Sequence, residues 1–248
     1  MDNYEFCVDW VSQREQSSDL RVLDYGCGSG DIVKRLLGIN INAFGCDVFY
    51  EGGNLSSLVD TKLVDNGIIR KMDSNTIPFD SAIFDIVINN QVMEHVQDID
   101  SVLDEICRVL KPGGVVLSLF PDKGVWREGH CGIPFLHWFP KYSHPRIYYA
   151  TLLRSLGLGH HKGNKSAFQW SSDFCQWLDN WTYYRTQREI EKSYSKYFCD
   201  IEHIESYWLK KRVNRGQMIT AIIPESLNKF IVNKLAGVVM TAYKPSND

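Results

Sequence analysis

The residues with the most definite chemical meaning are a carboxylate and three glycines. Asp24 closes the apolar run Val22-Leu23, and Gly26, Gly28 and Gly30 follow at alternate positions before a helical pattern starts at Ile32-Val33. Glycines spaced in this way permit positive φ and let a ligand reach the backbone where a Cβ would block it. The helix behind them presents free N–H groups at its start. The spacing is G-x-G-x-G, not the G-x-G-x-x-G that seats a pyrophosphate. A carboxylate at the strand end also repels a diphosphate and suits a cationic group. Asp47 ends the run from Ile41 to Cys46, about 20 residues past the loop, where an acid is placed to bind ribose hydroxyls. These residues describe a ligand with a ribose and a positive charge and no pyrophosphate.

Further candidates lie in the segment 121–145, which carries Glu128, His130, His137 and His144 without helical or strand periodicity. Histidine is the usual side chain for proton transfer near neutral pH, and Glu128, two residues from His130, could orient it or act as the base itself. A metal reading of His130, Cys131, His137 and His144 finds imidazole and thiolate ligands, but their spacings match no zinc pattern, so no metal is expected.

The elements that must position these groups follow from periodicity. Short apolar runs at 21–23, 41–46, 68–72, 84–88 and 115–120 read as buried strands. Between them come helical patterns: a weak one at 55–65 and a strong one at 99–110, whose apolar residues 99, 102, 103, 106, 109 and 110 form one stripe. Lys111-Pro112-Gly113-Gly114 is its stop signal. A short helix is expected over 3–16. Strand and helix alternate through this half, which predicts a parallel sheet with right-handed crossovers. The Pro- and Gly-rich segment 121–145 reads as a long loop leaving the ligand edge, and such loops are usually functional. Segments 146–156 and about 171–196 read as an inserted helical cap, 201–209 as a sixth strand, 227–235 as a helix and 238–243 as a last strand. The expected organisation is one domain over 1–248: a cofactor-binding half (1–121), a lid and cap insertion (122–197) and the last two strands (198–248).

Composition narrows the class. A chain of 248 residues can bury a full core. Its net charge of −3 argues against a nucleic-acid surface. Seven cysteines with no C-x-x-C pair read as reduced thiols, which points to the cytoplasm. No secretory leader opens the chain, and no apolar stretch is long enough to span a membrane.

The motifs Leu23-Asp24-Tyr25-Gly26-Cys27-Gly28-Ser29-Gly30, Gly45-Cys46-Asp47 and Leu110-Lys111-Pro112-Gly113-Gly114, in that order, resemble the class I S-adenosylmethionine-dependent methyltransferases, and within them the small-molecule type 11 branch. The resemblance is strong over residues 20–121. It implies a Rossmann-like α/β fold with a mostly parallel seven-stranded sheet, helices on both faces, and here a helical, aromatic-rich insertion after strand five. It also implies S-adenosyl-L-methionine as cofactor and S-adenosyl-L-homocysteine as product. Carried onto this chain, the cofactor residues are Asp24, Gly26, Cys27, Gly28, Gly30, Asp47, Val48 and Met72. The resemblance adds Asp73 on the adenine amino group, where the alternative is a turn-forming Asp beside Ser74-Asn75, backbone near Asn90 on the methionine end, and His95 of Glu94-His95-Val96 in the cleft wall. The N-terminal helix is expected to cap apolar surface of the sheet; the resemblance adds that such helices often cover the cofactor cleft, which would put Tyr4 or Trp10 within reach.

Methyl transfer from a sulfonium is an in-line displacement, so alignment of acceptor and methyl carbon does much of the work. A hydroxyl acceptor needs a base as well, and His130, then His137, with Glu128 beside them, are the candidates. Of the 31 aromatic residues, 19 lie between 121 and 210, enough to wall an acceptor site or a dimer surface as well as a cap core. The expected activity is methylation of a small molecule, on a hydroxyl of a sugar or biosynthetic intermediate. An amine acceptor and an inactive cofactor-binding scaffold are the alternatives, and the expected assembly is a monomer or homodimer.

Overall fold

The computed structural model describes residues 1–14, 20–50, 56–161, 163–212 and 224–246. One sheet contains β1 (Arg21–Tyr25), β2 (Asn42–Asp47), β3 (Ile69–Lys71), β4 (Phe84–Asn90), β5 (Leu110–Phe120), β6 (Cys199–His203) and β7 (Val238–Tyr243). The strand order is β3-β2-β1-β4-β5-β7-β6, and β7 alone runs against the rest. The helices are α1 (Asn3–Ser12), α2 (Asp31–Leu37), α3 (Thr61–Asp65), α4 (Ile99–Val109), α5 (His144–Ser155), α6 (Ala167–Trp181), α7 (Gln187–Tyr194), α8 (Glu205–Arg212) and α9 (Glu225–Leu235). The mostly parallel, seven-stranded α/β architecture expected from the sequence is present.

β1 pairs with β2 on one side and β4 on the other, so the chain's winding reverses there and a crevice opens at the strands' carboxyl ends. The register brings the strand ends level, with Tyr25 opposite both Cys46 and Asn89. The strands are apolar on both faces because both faces are covered. Leu23, Val87 and Val116 pack against Val102 and Ile106 of α4 and against Ile190 and Tyr194 of α7. On the other face Val22, Ile86 and Leu117 meet Phe6 of α1, Val33 of α2 and Trp208 of α8. The insertion builds a third, smaller core from Cys131, Ile133, Leu136, Ala150, Trp170, Cys175 and Leu178. Beside it, the buried Arg146 of α5 pairs with the buried Asp179 of α6.

Several expectations shift. The strand predicted over 201–209 stops at His203, and α8 follows. Trp208 N–H already bonds Ile204 O (2.9 Å) in a helical turn, and burying Trp208 against α1 outweighs the alternating pattern. The helix predicted over 171–196 is two helices, because Thr182 is extended and its hydroxyl turns back onto Leu178 O (2.6 Å). α7 belongs to the layer covering the sheet, so the cap is shorter than 122–197. The weak helix of 55–65 is reduced to α3, and α1 ends at Ser12. Residues 15–16 of the first predicted helix, 51–54 of the loop after β2 and residue 55 lie outside the described residues. Among the described residues, no helix is long and apolar enough to cross a membrane.

Candidate active site

The glycine loop folds back on the end of β2. Gly26 and Cys27 N–H both donate to Cys46 O (2.8 and 3.1 Å), and Gly28 N–H donates to Asp47 Oδ2 (2.9 Å). Phe49 N–H caps the other oxygen of Asp47 (2.6 Å). Asp47 is thus held by backbone on both oxygens while its carboxylate faces a cavity of 320 Å³. A Cβ on Gly26 would stand 2.4 Å from Val92 Cγ2, so only glycine lets the loop pass there, at φ +73°.

Of the residues expected to hold a cofactor, Gly26, Asp47, Val48, Met72 and His95 line this cavity. Others act from behind the wall or away from it. Asp24 is buried; burial, then the neighbouring charge of Asp47, push its carboxyl well above the usual range. Cys27 packs where a side chain on Gly45 would go. Gly28 orients Asp47, and Gly30 opens α2 in the left-handed region. Asp73 is exposed and closes a turn onto Thr76, while Asn75 supplies the nearby wall. Asn90 gives way to Gln91, whose positive φ (59°) turns it into the cavity. Tyr50 and Trp181 carried no motif. Their rings lie 5.0 Å apart and close the side next to His95. Trp10 of α1 is buried against the sheet, and neither it nor Tyr4 is on the cavity wall.

The insertion brings a second group of side chains to the same wall. Glu128 is fully buried, accepts hydrogen bonds from Tyr184 Oη (2.6 Å) and Cys131 N–H (2.8 Å), and meets His130 Nδ1 at 2.7 Å. Burial alone would raise Glu128. The hydrogen bond and charge of His130, with the two donors, overcome this and hold the carboxyl at about 2. The same pairing reverses the effect of burial on His130, which is raised. His130 Nε2 lies 3.2 Å from His95 Nε2, and His95 Nδ1 lies 2.6 Å from Trp181 O. Burial lowers His95 to about 4. Next to them Glu94 is 1% exposed; burial pushes it up to about 7.

The structure therefore joins Glu128 and His130 but does not bring His137 to them. His137 lies in another cavity with Lys123 and Arg146, and its ring packs tilted against that of Tyr184, centroids 4.6 Å apart, so it supports Glu128's partner from behind. His144 starts α5, and Cys131 belongs to the insertion core. The side chains that do converge, Glu94 and His95 with His130, are about 35 positions apart in sequence, beyond any local spacing rule. His130 is also part of the wall of a larger cavity, 670 Å³, lined by Trp170, Phe174, Trp177, His160 and His161.

Comparison with known proteins agrees with this geometry. Residues 23–118 match the type 11 methyltransferase domain family. That match covers less than half of the chain, and over it the chain is similar to methyltransferase domains. A ubiquinone biosynthesis O-methyltransferase of Chelativorans is 28% identical over 141 residues, 54% of this chain and 53% of that protein. A ubiquinone/menaquinone biosynthesis C-methyltransferase of Xylella fastidiosa is 32% identical over 111 residues, 42% of this chain and 44% of that protein. Among solved structures, phosphoethanolamine N-methyltransferase 2 of Haemonchus contortus, in complex with S-adenosylhomocysteine, matches with a TM-score of 0.54 at 16% identity. That match covers 98% of this chain and 53% of the other. The chain spans about half the length of the curated relatives it matches. Their names cover oxygen, carbon and nitrogen acceptors, so kinship alone does not choose the atom.

Proposed function

We propose that this protein transfers a methyl group from S-adenosylmethionine to a hydroxyl of a small-molecule acceptor, a sugar or another biosynthetic intermediate. The observation that carries the reading is the place of His130. It stands on the wall shared by the cavity at the strand ends and the larger aromatic cavity, held there by a buried Glu128. The cofactor fits the smaller cavity, with its ribose on Asp47 and its sulfonium end toward Gln91 and His130. The acceptor enters through the aromatic cavity, where Trp177, with its ring 5.0 Å from that of His130, offers a flat face to a sugar or aryl ring. In the transfer the acceptor oxygen forms the new O–C bond. The C–S bond breaks, its electron pair stays on sulfur to give neutral S-adenosylhomocysteine, and the acceptor proton leaves to the Glu128–His130 pair.

Calorimetry and a turnover assay test this together. S-adenosylhomocysteine should bind and NAD should not. His130→Ala should keep that binding while turnover falls about 10²–10⁴-fold, the usual loss on removing a general base. Binding of NAD in place of S-adenosylhomocysteine would overturn the cofactor assignment. Unchanged turnover in His130→Ala would overturn the hydroxyl assignment and favour an amine acceptor.

A further inference from the structure

The two facing imidazoles have an unusual arrangement. Trp181 O can only accept, so His95 Nδ1 carries its hydrogen; the Glu128 carboxylate likewise fixes the hydrogen of His130 on Nδ1. In both neutral rings the lone pair is then on Nε2, and the two Nε2 atoms face each other at 3.2 Å. Two lone pairs at that distance repel unless a proton, carried when His130 is charged, or a metal ion lies between them. The carboxylate of Glu94 adds to this: both of its oxygens are buried, and neither has a hydrogen-bond partner among the described residues. An acid buried with no donor is costly unless a positive charge faces it.

We propose that Glu94, His95 and His130 bind a divalent transition-metal ion of the zinc class in the wall of the cofactor cavity. Their ligand atoms all lie within 4.8 Å of one another. Zinc–nitrogen bonds of about 2.0–2.1 Å in a tetrahedral site separate the ligand atoms by about 3.3 Å, close to the spacing the two Nε2 atoms already have. The carboxylate oxygen closes on the same point with a shift of no more than about 1.5 Å, set by that ligand spacing. Both histidines also have the support that metal-bound imidazoles have: one Nδ1–H goes to a buried carboxylate, the other to a backbone carbonyl. Two nitrogens and one oxygen favour zinc, cobalt or iron over magnesium. Three protein ligands leave a coordination position open on the cavity side, where His95 and His130 line the wall.

The site goes beyond the proposed transfer and competes with its base: with Nε2 free His130 can take the acceptor proton, and with the ion bound that role is given up. With the ion bound, His130 Nε2 is a ligand, and an acceptor oxygen coordinated to the ion loses its proton more readily than a free one.

The test begins with the full chain stripped by a chelator, dialysed against Zn²⁺, Co²⁺ or Mg²⁺, and measured by elemental mass spectrometry. Zn²⁺ and Co²⁺ should each be retained at one equivalent and Mg²⁺ should not, and the Co²⁺ form should show visible d–d bands. Glu94→Gln keeps the shape and removes the anionic oxygen, so it should weaken Co²⁺ binding at least tenfold. Glu128→Gln should weaken it about 10–100-fold through His130. Substoichiometric retention of both ions, or wild-type affinity in Glu94→Gln, overturns the site. If Glu94→Gln does not fold, as judged by circular dichroism, the wild type decides. Its Co²⁺ form should show hyperfine-shifted proton signals from two histidine rings, and their absence overturns the site as well. Metal retention is read with no cofactor or acceptor present, so failure of methyl transfer leaves it standing. A protein that transfers methyl groups but retains no ion refutes the metal site alone.

Discussion

The cavity has two walls built by different means. On the sheet side, position is set by backbone: Gly26 N–H on Cys46 O, Gln91 N–H on Leu119 O (2.7 Å), and Asp47 held by two amides. On the insertion side, position is set by side chains: Tyr184 on Glu128, Glu128 on His130, and Arg146 on Asp179 beneath them. A backbone-built wall tolerates changes of side chain provided that no Cβ intrudes. A wall built from a chain of buried polar partners fails when one link is lost, because the remaining partner is left buried and unpaired. The first wall can be kept while ligands diverge, and the second is where specificity can change by single substitutions.

Two experiments could break this contrast, and a third measures a tie outside it. The largest effect should come from Asp179→Ala. It strands the buried Arg146 guanidinium and removes the acceptor of Tyr142 N–H (2.9 Å). Breaking a buried pair by deleting one partner costs about 3–5 kcal/mol. Urea denaturation should record a loss of that order, and a loss under about 1 kcal/mol, the ceiling for an exposed pair, would show that the insertion does not depend on the pair.

Asp47→Ala probes the other wall. Losing a charge-assisted bond to the ribose should cost about 1.5–3 kcal/mol, roughly a 10–150-fold rise in Kd for S-adenosylhomocysteine by calorimetry. The melting temperature without ligand should change less than in Asp179→Ala. The opposite ranking would show that the sheet wall, too, depends on individual side chains.

The smallest effect concerns a tie outside both walls. His203 at the end of β6 meets Glu205 of α8 (Nδ1, 2.9 Å) and Glu191 of α7 (Nε2, 2.8 Å). The hydrogen bond to Glu205, then burial working against it and the charge of Glu205 adding to it, leave the imidazole raised above 6.5. A raised folded value means that the protonated ring stabilises the fold below pH 6.5 and that this contribution fades as pH rises through the folded value. His203→Gln should flatten the slope of stability between about pH 6 and 8, the range in which histidine titrates, with little change at the alkaline end. A slope unchanged in that variant would assign it to another group.

How much was legible in the sequence follows the same division. The strands of the first half, the glycine loop and Asp47 could be read because each depends on residues close in sequence. Periodicity reports burial, and a glycine reports its own backbone. Tyr50, Gln91 and Trp181 could not be read in that way: each joins the cavity through a contact with a distant segment. The pairing of His130 with His95 was hidden for the same reason, although both histidines had been singled out separately. The error over 201–209 is instructive. Ile201, Ile204, Tyr207 and Trp208 serve a strand or a helix equally well until the position of α1 is known, and burying Trp208 decides for α8.

The break between α6 and α7 has a further consequence. Arg185, in that break, donates to the carbonyls of Val96 (2.8 Å), Gln97 (2.7 Å) and Met93 (3.3 Å), and Tyr183 N–H donates to Glu94 O (2.6 Å). One short stretch after β4 is therefore shared property: it lines the cavity at the strand ends, yet its shape is held by the cap. Such a cap is not a detachable module. Grafting it onto a related sheet, or replacing it, also rebuilds part of the wall at the strand ends, so a change made in the cap reaches both cavities.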